Sequence, residues 1–312
     1  MPKGKDRNNF IKPVVMIGAL TFIVCFAVCV FHIYDIRQSM EEEINEQLLV
    51  QLDIAGEIMT DDIVNTESVV SAVAAELGES GKGSLTEYQI YRILNKYKAI
   101  DDFQAVAYIK EDHTIYFDDE WKRDASDMIR EPLYEIEEKQ IYLTDDFWGD
   151  NRDYLLLFLV PVMNNGERNG FVVGLKECSR ILDGDAFSYL KKAGDLIITD
   201  EKGTILDCNF INFKDQSEKY DTIYDYMEKV WGADADKISE LDGLISDIEQ
   251  RDGTVQCKNK SRDRFFYSFS SPEVFPKLRI VSMYTENIYT GVENTIIFGS
   301  IAACMVMMGS MI

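Results

Sequence analysis

The sequence has 312 residues, a formal net charge of −23 and 46% hydrophobic residues. The acidic balance excludes nucleic-acid binding as an expected function, because a phosphate backbone needs basic partners. The apolar and aromatic content excludes an intrinsically disordered chain and is sufficient for one or two compact domains.

Two apolar segments, residues 14–31 and 296–312, bracket the acidic part of the sequence. Each is close to the length of a helix that crosses a bilayer. The basic residues that precede the first segment are Lys3, Lys5, Arg7 and Lys12. Because basic flanks stay in the cytoplasm, we expect a cytoplasmic tail at 1–12 and transmembrane helices at 13–34 and 291–312. The region between them is then extracytoplasmic and held at the plasma membrane.

Each apolar segment has an alternative interpretation. The first could be a cleavable signal peptide, but its apolar core is longer than usual and no small-x-small cleavage site precedes Asp35. No basic residue follows the second segment, whereas a complete membrane protein normally places lysine or arginine there. We therefore expect a chain truncated ahead of a cytoplasmic part, and the alternative is a C-terminal anchor with a very short tail.

Residues 35–80 are predicted to form one long stalk helix. Apolar residues recur at intervals of three and four from Ile36 to Leu77, and no proline interrupts them. The glycine-rich segment that begins at Gly78 is expected to end the helix. The apolar stripe packs either on the domain or on the same helix of a second subunit, and we expect a parallel homodimer.

A second helix is predicted to run to about Lys98. Ser84 is its predicted N-cap, because Glu87 follows three residues later. In this capping-box spacing each of the two side chains satisfies a backbone amide of the other residue.

Beyond residue 100 the sequence alternates predicted β-hairpins with helices. The predicted strands are residues 103–109, 114–117, 154–163, 171–176, 195–199, 204–208, 254–258, 264–271 and 277–284. The predicted helices are residues 129–139, 181–192, 220–231 and 235–250. Pro161 is expected to end its strand or to mark a bulge. The pattern of hairpin, helices and further strands occurs twice, and it predicts an α+β fold of antiparallel sheets with helices on one side.

Histidine, the residue most often used in catalysis and zinc binding, is scarce in this sequence. His32 and His113 are the only two, so a serine–histidine–aspartate triad would depend on His113 alone. A zinc site with several histidine ligands is excluded for the same reason. We therefore expect no catalytic residue, no metal and no cofactor.

Three cysteines lie outside the apolar segments, at positions 178, 208 and 257. An odd number cannot all pair within one chain. Cys208 and Cys257 either form a disulfide or remain buried free thiols, and their spacing in the sequence does not distinguish these alternatives.

The order of the predicted elements resembles a known sensor family. A hairpin, helices and a three-stranded meander resemble a PAS-like fold. Two such units after a long helix resemble the double Cache domain of bacterial transmembrane receptors, such as membrane-bound diguanylate cyclases and histidine kinases. The segments that carry the resemblance are Ala105–Asp119, Leu157–Leu182, Ala186–Asn209 and Phe265–Ile288. In the first of them His113 replaces the usual glycine. The resemblance implies tandem PAS-like modules, a membrane-distal one at 64–180 and a membrane-proximal one at 181–288.

The resemblance also implies a small-molecule pocket in the membrane-distal module. The candidate ligand-binding residues are Tyr116, Arg130, Tyr134, Asp145 and Tyr154. Arg130 is expected to bind an anionic group bidentately and Asp145 an amine, with the tyrosines as walls. A surface ion pair is the alternative for Arg130, and core packing for Tyr154. Family members that bind amino acids tend to carry Arg-x-Trp-Tyr, and residues 130–134 lack that Trp-Tyr pair, so an amino-acid ligand is not implied.

These observations favour an extracytoplasmic sensor that signals across the membrane to a cytoplasmic output domain. The resemblance favours a diguanylate cyclase as that output, ahead of a histidine kinase or a chemoreceptor hairpin, and no catalysis is expected within the 312 residues. A membrane-anchored surface enzyme is one alternative, and it would require a catalytic histidine or a metal cluster. A structural or adhesion protein is the other, and it would require no ligand pocket.

Overall fold

A computed structural model gives the architecture of the chain. It describes residues 5–80, 85–100, 103–119, 122–124, 138–144, 154–209, 220–258 and 264–285, together with Gly299. The described residues form an α+β fold of one long helix, short helices and two antiparallel sheets. The chain divides into two compact units, one of residues 49–284, which holds the two sheets, and one of residues 1–48 with 285–312.

Helix α1 runs without interruption from Lys5 to Ser80. It includes both the predicted stalk helix at 35–80 and the apolar segment at 14–31. Within the part of the chain that the structure describes, no helix has the length and apolar character that a membrane crossing needs. The second apolar segment, 296–312, lies outside the described residues apart from Gly299.

The predicted apolar stripe of α1 is confirmed between residues 49 and 80. Its buried members include Leu52, Ala55, Met59, Ile63, Val70, Val73 and Leu77. They recur at three- and four-residue intervals because such positions share one face of a helix. This face packs against the sheets.

Helix α2 spans Glu87–Lys98 and begins later than predicted. Its N-cap is Thr86 and not Ser84, which lies outside the described residues. Thr86 Oγ1 accepts a hydrogen bond from the Gln89 amide at 3.4 Å, and Gln89 Oε1 accepts one from the Thr86 amide at 2.9 Å. The prediction of a capping box was correct in kind but wrong in position, because Thr86-x-x-Gln89 has the same spacing and directs Ile90 into the core.

The first sheet has six antiparallel strands in the order β3-β2-β1-β6-β5-β4. The strands are β1 Ala105–Lys110, β2 Thr114–Phe117, β3 Lys122–Asp124, β4 Gln140–Thr144, β5 Leu155–Asn164 and β6 Glu167–Glu177. Both predicted hairpins of this sheet are confirmed, with a short turn at Asn165 and Gly166 in the second. The sequence analysis missed the two edge strands, β3 and β4. The helix predicted at 129–139 lies mostly outside the described residues.

Strand β5 continues through Pro161, which was predicted to end it or to mark a bulge. Pro161 pairs with Phe171, and the register shifts one step later, between Val162 and Met163. The six residues of 155–160 are all buried, as predicted for a strand with both faces covered.

The second sheet has five antiparallel strands in the order β8-β7-β11-β10-β9. Two 3₁₀ turns, Cys178–Asp183 and Asp185–Phe187, and helix α3, Ser188–Ala193, connect it to the first. The strands are β7 Asp195–Thr199, β8 Ile205–Cys208, β9 Asp252–Lys258, β10 Arg264–Ser270 and β11 Arg279–Thr285. The helices between β8 and β9 are α4 Ile223–Tyr226, continued by a π turn at Met227–Trp231, and α5 Ala235–Ser246. All five strands were predicted from the sequence.

Cys208 and Cys257 are not disulfide-bonded, and both lie in the buried core between the second sheet and its helices. The structure therefore contains no Cys208–Cys257 disulfide. Cys178 is also free and buried.

Helix α1 contacts both sheets through polar and close-packed positions. Lys176 Nζ of β6 lies 2.7 Å from Asp62 Oδ1, and the Glu273 amide, just beyond β10, donates to Thr60 Oγ1 at 2.9 Å. A Cβ atom added to Gly174 of β6 would lie 2.6 Å from Val70 Cγ2, so the helix approaches this strand as closely as glycine allows. One face of each sheet is thus fixed to the same helix.

Candidate functional site

The two faces of the first sheet have different surroundings. Paired residues of neighbouring strands point to the same face, so Ala107, Phe117 and Val173 share one face because Ala107 pairs with both of the others. Gly174 belongs to the opposite face, which contacts α1. We call the side that carries Ala107 the apolar face.

The apolar face is a continuous hydrophobic cluster of four strands. Its buried residues are Ala107, Ile109, Ile115, Phe117, Leu155, Leu157, Leu159, Phe171, Val173 and Leu175. Ala105 and Tyr142 pack against the cluster and are partly exposed. None of its members carries a charge, so the face provides a floor for the apolar body of a small molecule.

The centre of the apolar face is built from short side chains. Ala105 and Ala107 are successive positions of β1 on this face, and each contributes only a methyl group. Their cross-strand partners are larger, since Ala105 pairs with Leu175 and Ala107 pairs with Phe117. The face is therefore lower at these two positions than at their cross-strand partners.

Polar side chains follow one edge of the apolar face, along β4. Gln140, Tyr142 and Thr144 pair with Leu159, Leu157 and Leu155, so all three lie on the apolar face. The Tyr142 hydroxyl donates to Gln140 Oε1. Tyr142 and Thr144 are partly buried. We call these three residues the polar edge, and together with the floor they supply the apolar surface and few polar groups that ligand pockets combine.

The structure describes two of the five candidate residues, and it does not place them side by side. Tyr116 lies on the helix-contacting face, because the β-strand period gives the apolar face to its neighbours Ile115 and Phe117. Its ring meets Tyr91 of α2 edge-on at 5.8 Å between centroids, and its hydroxyl accepts from Lys110 Nζ at 3.2 Å.

Tyr154 directly precedes β5 and is partly buried, and its carbonyl accepts from the Cys178 amide at 2.9 Å. Arg130, Tyr134 and Asp145 lie outside the described residues. In the sequence they belong to the β3–β4 and β4–β5 connections, which start and end at strands of this sheet.

A second tyrosine of the helix-contacting face is held as a neutral hydrogen-bond donor. The Tyr108 hydroxyl donates to the Asn169 carbonyl at 3.0 Å, and its ring stacks on Tyr116. Burial, with a smaller contribution from the charge of Asp112, raises the pKa of Tyr108 to about 12. The two tyrosines therefore support the packing of β1 and β2 rather than proton transfer.

The polar edge and the alanines of the floor were missed by the sequence analysis. A signal was available for the edge, because Gln140-Ile-Tyr-Leu-Thr144 alternates polar and apolar side chains in the manner of a half-buried strand. No comparable signal marks Ala105 and Ala107, since alanine does not indicate which face of a strand it occupies. Among the described residues, no group of histidine, cysteine, aspartate or glutamate could hold a metal ion.

No protein-family model and no curated protein matches the sequence. Solved sensory domains do share its fold. The sensory domain of the Campylobacter jejuni chemoreceptor Tlp3 (CcmL) with isoleucine bound has a TM-score of 0.57 at 11% identity, over 81% of this chain and 97% of that chain. The ligand-binding domain of the Pseudomonas fluorescens chemoreceptor CtaA in complex with L-serine has a TM-score of 0.56 at 10% identity, over 79% of this chain and 99% of that chain.

The ligand-binding domain of Mlp24 with asparagine is similar in the same way, with a TM-score of 0.53 at 14% identity over 83% of this chain and 98% of that chain. Each match covers nearly the whole sensory domain, so the fold is that of these domains. The resemblance to the tandem PAS-like double Cache architecture is confirmed at the level of the fold.

Proposed function

We propose that the chain is the extracytoplasmic ligand-sensing region of a bacterial transmembrane signalling protein. One observation carries the proposal: two successive antiparallel sheets are fixed to one long helix, and the first sheet has an apolar face with a polar edge. Similar folds occur in sensory domains of chemoreceptors that hold isoleucine or L-serine. No residue of this region is assigned a catalytic role.

The proposed ligand is a small organic molecule that binds at the first sheet, in the membrane-distal module of residues 64–180. The floor accommodates its apolar part. Arg130 would bind an anionic group, Asp145 an amine, and Tyr134 and Tyr154 would form walls. Tyr116 is not part of this arrangement, because its ring contacts α2 on the opposite face.

Helix α1 is the proposed route by which binding is transmitted. It contacts the first sheet at Asp62 and the second sheet, in the membrane-proximal module of residues 181–288, at Thr60. A ligand that binds more tightly to one packing of the first sheet on α1 shifts the population toward that packing. The coupling can be no larger than this difference in affinity.

The membrane arrangement is also a proposal. The apolar segments at 14–31 and 296–312 would cross the plasma membrane, with residues 1–12 in the cytoplasm because they are basic. The cytoplasmic output would then follow the second segment. A diguanylate cyclase is the output we propose, on the family resemblance alone.

A parallel homodimer is proposed from a second apolar stripe on α1. Val50, Ile54 and Ile58 are 51%, 41% and 39% exposed, and their spacing of four residues puts them on one side of the helix. This stripe faces away from the buried positions Leu52 and Met59. Exposed aliphatic residues in register along a long helix are typical of a surface that pairs with a second helix.

A thermal-shift screen of the full chain in detergent tests the sensor proposal. The compounds are amino acids, organic acids, amines and nucleobases, and the variants are Arg130→Ala and the control Arg251→Ala. Arg251 is an exposed arginine of the second module that pairs with Glu273 at 3.2 Å. We expect a specific stabilising compound whose effect disappears in Arg130→Ala and persists in Arg251→Ala.

Three outcomes would contradict this assignment. A stabilising compound that is unaffected by Arg130→Ala would move the site away from the first module. The absence of any stabilising compound, with a folded sample, would favour a structural or adhesion protein, and turnover of a compound would favour a surface enzyme.

A further inference from the structure

A carboxylate surrounded by aromatic side chains lies on the helix-covered face of the second sheet. Asp195, the first residue of β7, accepts two hydrogen bonds on the same oxygen. The Tyr226 hydroxyl donates to Asp195 Oδ2 at 2.5 Å, and Trp231 Nε1 donates to it at 3.0 Å. Both donors are neutral groups, so they hold the carboxylate in place without neutralising its negative charge.

Further aromatic rings extend the surroundings of this carboxylate. The Tyr220 ring meets the Tyr226 ring edge-on at 5.1 Å between centroids, and the Trp231 ring lies against Phe265, also at 5.1 Å. Tyr220, Trp231 and Asp195 are partly exposed, so the cluster reaches the protein surface. We call Asp195, Tyr220, Tyr226 and Trp231 the Asp195 cage.

A rare backbone feature brings the two donors together. Tyr226 and Trp231 are five residues apart, and in an α-helix such positions point about 140° away from each other. The π turn at Met227–Trp231 widens the helix by its extra residue, so both side chains reach one oxygen. Gly232 then ends the turn in the left-handed region with φ 67°. π turns occur frequently at functional sites, where the local cost in stability is retained for a purpose.

No basic side chain of the described residues forms an ion pair with Asp195, and within those residues Oδ1 accepts no hydrogen bond. Lys229 is a cation close to one of these rings, with its Nζ 5.8 Å from the centroid of Tyr220. Its charge is paired with Asp225. The hydroxyl of Tyr226 and the indole N–H of Trp231 lie in the planes of their rings, so these rings meet Asp195 with their edges. The charge of the carboxylate attracts a cation, and the faces of neighbouring aromatic rings can add to that attraction.

We propose that the Asp195 cage is a second ligand site, independent of the first sheet, that binds the ammonium or quaternary ammonium group of a small organic cation. The carboxylate supplies the charge through Oδ1. Tyr220 and Trp231 supply aromatic surface that is strongest for cations with weak hydration. Tyr226 stays a hydrogen-bond donor, because burial and its bond to Asp195 raise its pKa.

A purely structural role for Asp195 predicts a different response to substitution. In that role the carboxylate only accepts the hydrogen bonds that connect Tyr226 and Trp231 to β7. An amide oxygen at the same place can accept both of these hydrogen bonds. Asp195→Asn therefore preserves the hydrogen bonds and removes the charge. Asp236→Asn is the matched control, since it removes an exposed aspartate at the start of α5.

The test is a titration of the full chain in detergent with tetramethylammonium chloride and with methylammonium chloride. The control compounds are tert-butanol, which has a similar shape without charge, and sodium chloride at equal ionic strength. Binding is followed by Trp231 fluorescence in a chain that carries Trp121→Phe and Trp148→Phe, and by thermal shift in the unchanged chain.

We expect saturable binding of at least one of the two ammonium compounds and none of tert-butanol. Asp195→Asn should weaken this binding by at least about tenfold with an unchanged melting temperature, because the charge contributes most of the attraction. Asp236→Asn and Arg130→Ala should leave it unchanged. Equal binding to the wild type and Asp195→Asn, or no binding of either cation to the folded wild type, would overturn the proposal. Loss of the first-sheet ligand in Arg130→Ala is a separate result and does not depend on this site.

Discussion

The two sheets of this chain differ in what covers the face that α1 does not contact. In the second sheet that face is closed by α4, α5 and the π turn, and its core includes Ile223, Leu241 and Phe269. In the first sheet the described helices α1 and α2 lie on one face, and the other is the apolar floor with its polar edge. The second sheet is therefore closed by described helices on the face that α1 leaves free, and under the proposed function we expect the first sheet to be the one that changes its packing when a ligand binds.

Arg279 shows how firmly the second sheet is braced. Its guanidinium is fully buried and donates to the carbonyls of Asp247 at 2.6 Å and Gln250 at 2.9 Å. It also donates to the Ile245 carbonyl at 3.3 Å and to the Ser271 hydroxyl. Burial lowers the pKa of Arg279, but the carbonyl oxygens at the end of α5 stabilise its charge.

The largest expected effect is the loss of this brace. Arg279→Ala should lower the free energy of unfolding by about 3–5 kcal/mol, because it leaves buried carbonyls without donors. The control Arg251→Ala removes an exposed ion pair and should cost less than about 1 kcal/mol. Chemical denaturation measures both, and a similar small loss for the two variants would contradict the assignment of the second sheet as the braced support.

The next effect concerns the contact between α1 and the first sheet. In Gly174→Ala the new Cβ would lie 2.6 Å from Val70 Cγ2 and 2.9 Å from Phe103. We expect a loss of about 1–3 kcal/mol of unfolding free energy from this overpacking. Gly243→Ala is the matched control, because nothing lies within 4 Å of its added Cβ, and in the interior of α5 it should stabilise by roughly 0.5–1 kcal/mol. If Gly174→Ala were also stabilising, α1 would not be in tight contact with β6.

A third variant fills the floor of the proposed pocket. Ala105→Leu should weaken binding of the first-sheet ligand by roughly tenfold or more, or at least about 1.4 kcal/mol, because the larger side chain occupies part of the proposed floor. Ala99→Leu, at the exposed end of α2, should leave the affinity unchanged. Calorimetric titration with the strongest compound of the screen gives both values, and equal affinities would place the ligand elsewhere than on the floor.

The proposed dimer predicts a cross-link between subunits at α1. In a chain whose Cys25, Cys29 and Cys304 are replaced by alanine, Ile54→Cys should form a disulfide-linked dimer under mild oxidation. Val230→Cys, at an apolar position on the π turn that is at least as exposed, should remain monomeric on a non-reducing gel. Equal cross-linking of both variants would indicate random collisions between chains rather than a specific dimer interface along α1.

The smallest expected effect is the reactivity of the native thiols. Burial raises the pKa of Cys257 to about 11 and also raises that of Cys178. Both therefore stay protonated at pH 8, and only the thiolate is nucleophilic. We expect no reaction of Cys178, Cys208 or Cys257 with a thiol reagent until the chain is unfolded. Rapid labelling of Cys257 alone would show that the second core opens more readily than its packing indicates.

Local patterns predicted most of the fold, and they missed two short edge strands and the position of one N-cap. The turn at residues 110–113 and the Asn165-Gly166 turn predicted two hairpins, because each signal lies within one hairpin. Strands β3 and β4 were missed because they are short edge strands of three and five residues, although each pairs with the strand next to it in the sequence. The N-cap was misplaced because Ser84 and Thr86 both satisfy the capping-box spacing, and local sequence does not choose between them.

The site was less predictable than the fold. Tyr116 was selected as a pocket wall by its residue type, but its face depends on which residues of β2 point toward α2, which the register of the sheet decides. The Asp195 cage was not considered at all, because its two donors are brought together by a π turn that no sequence pattern predicts. Arg130, Tyr134 and Asp145 remain predictions.

The most direct test of the central claim is hydrogen–deuterium exchange of the full chain with and without the strongest compound of the screen. The account predicts slower exchange in the first sheet, at residues 103–109 and 138–144, and in α1 around residues 60–70, with little change in α5 and β9. Protection confined to the second sheet, or no protection at saturating compound, would contradict a ligand-sensing site on the first sheet.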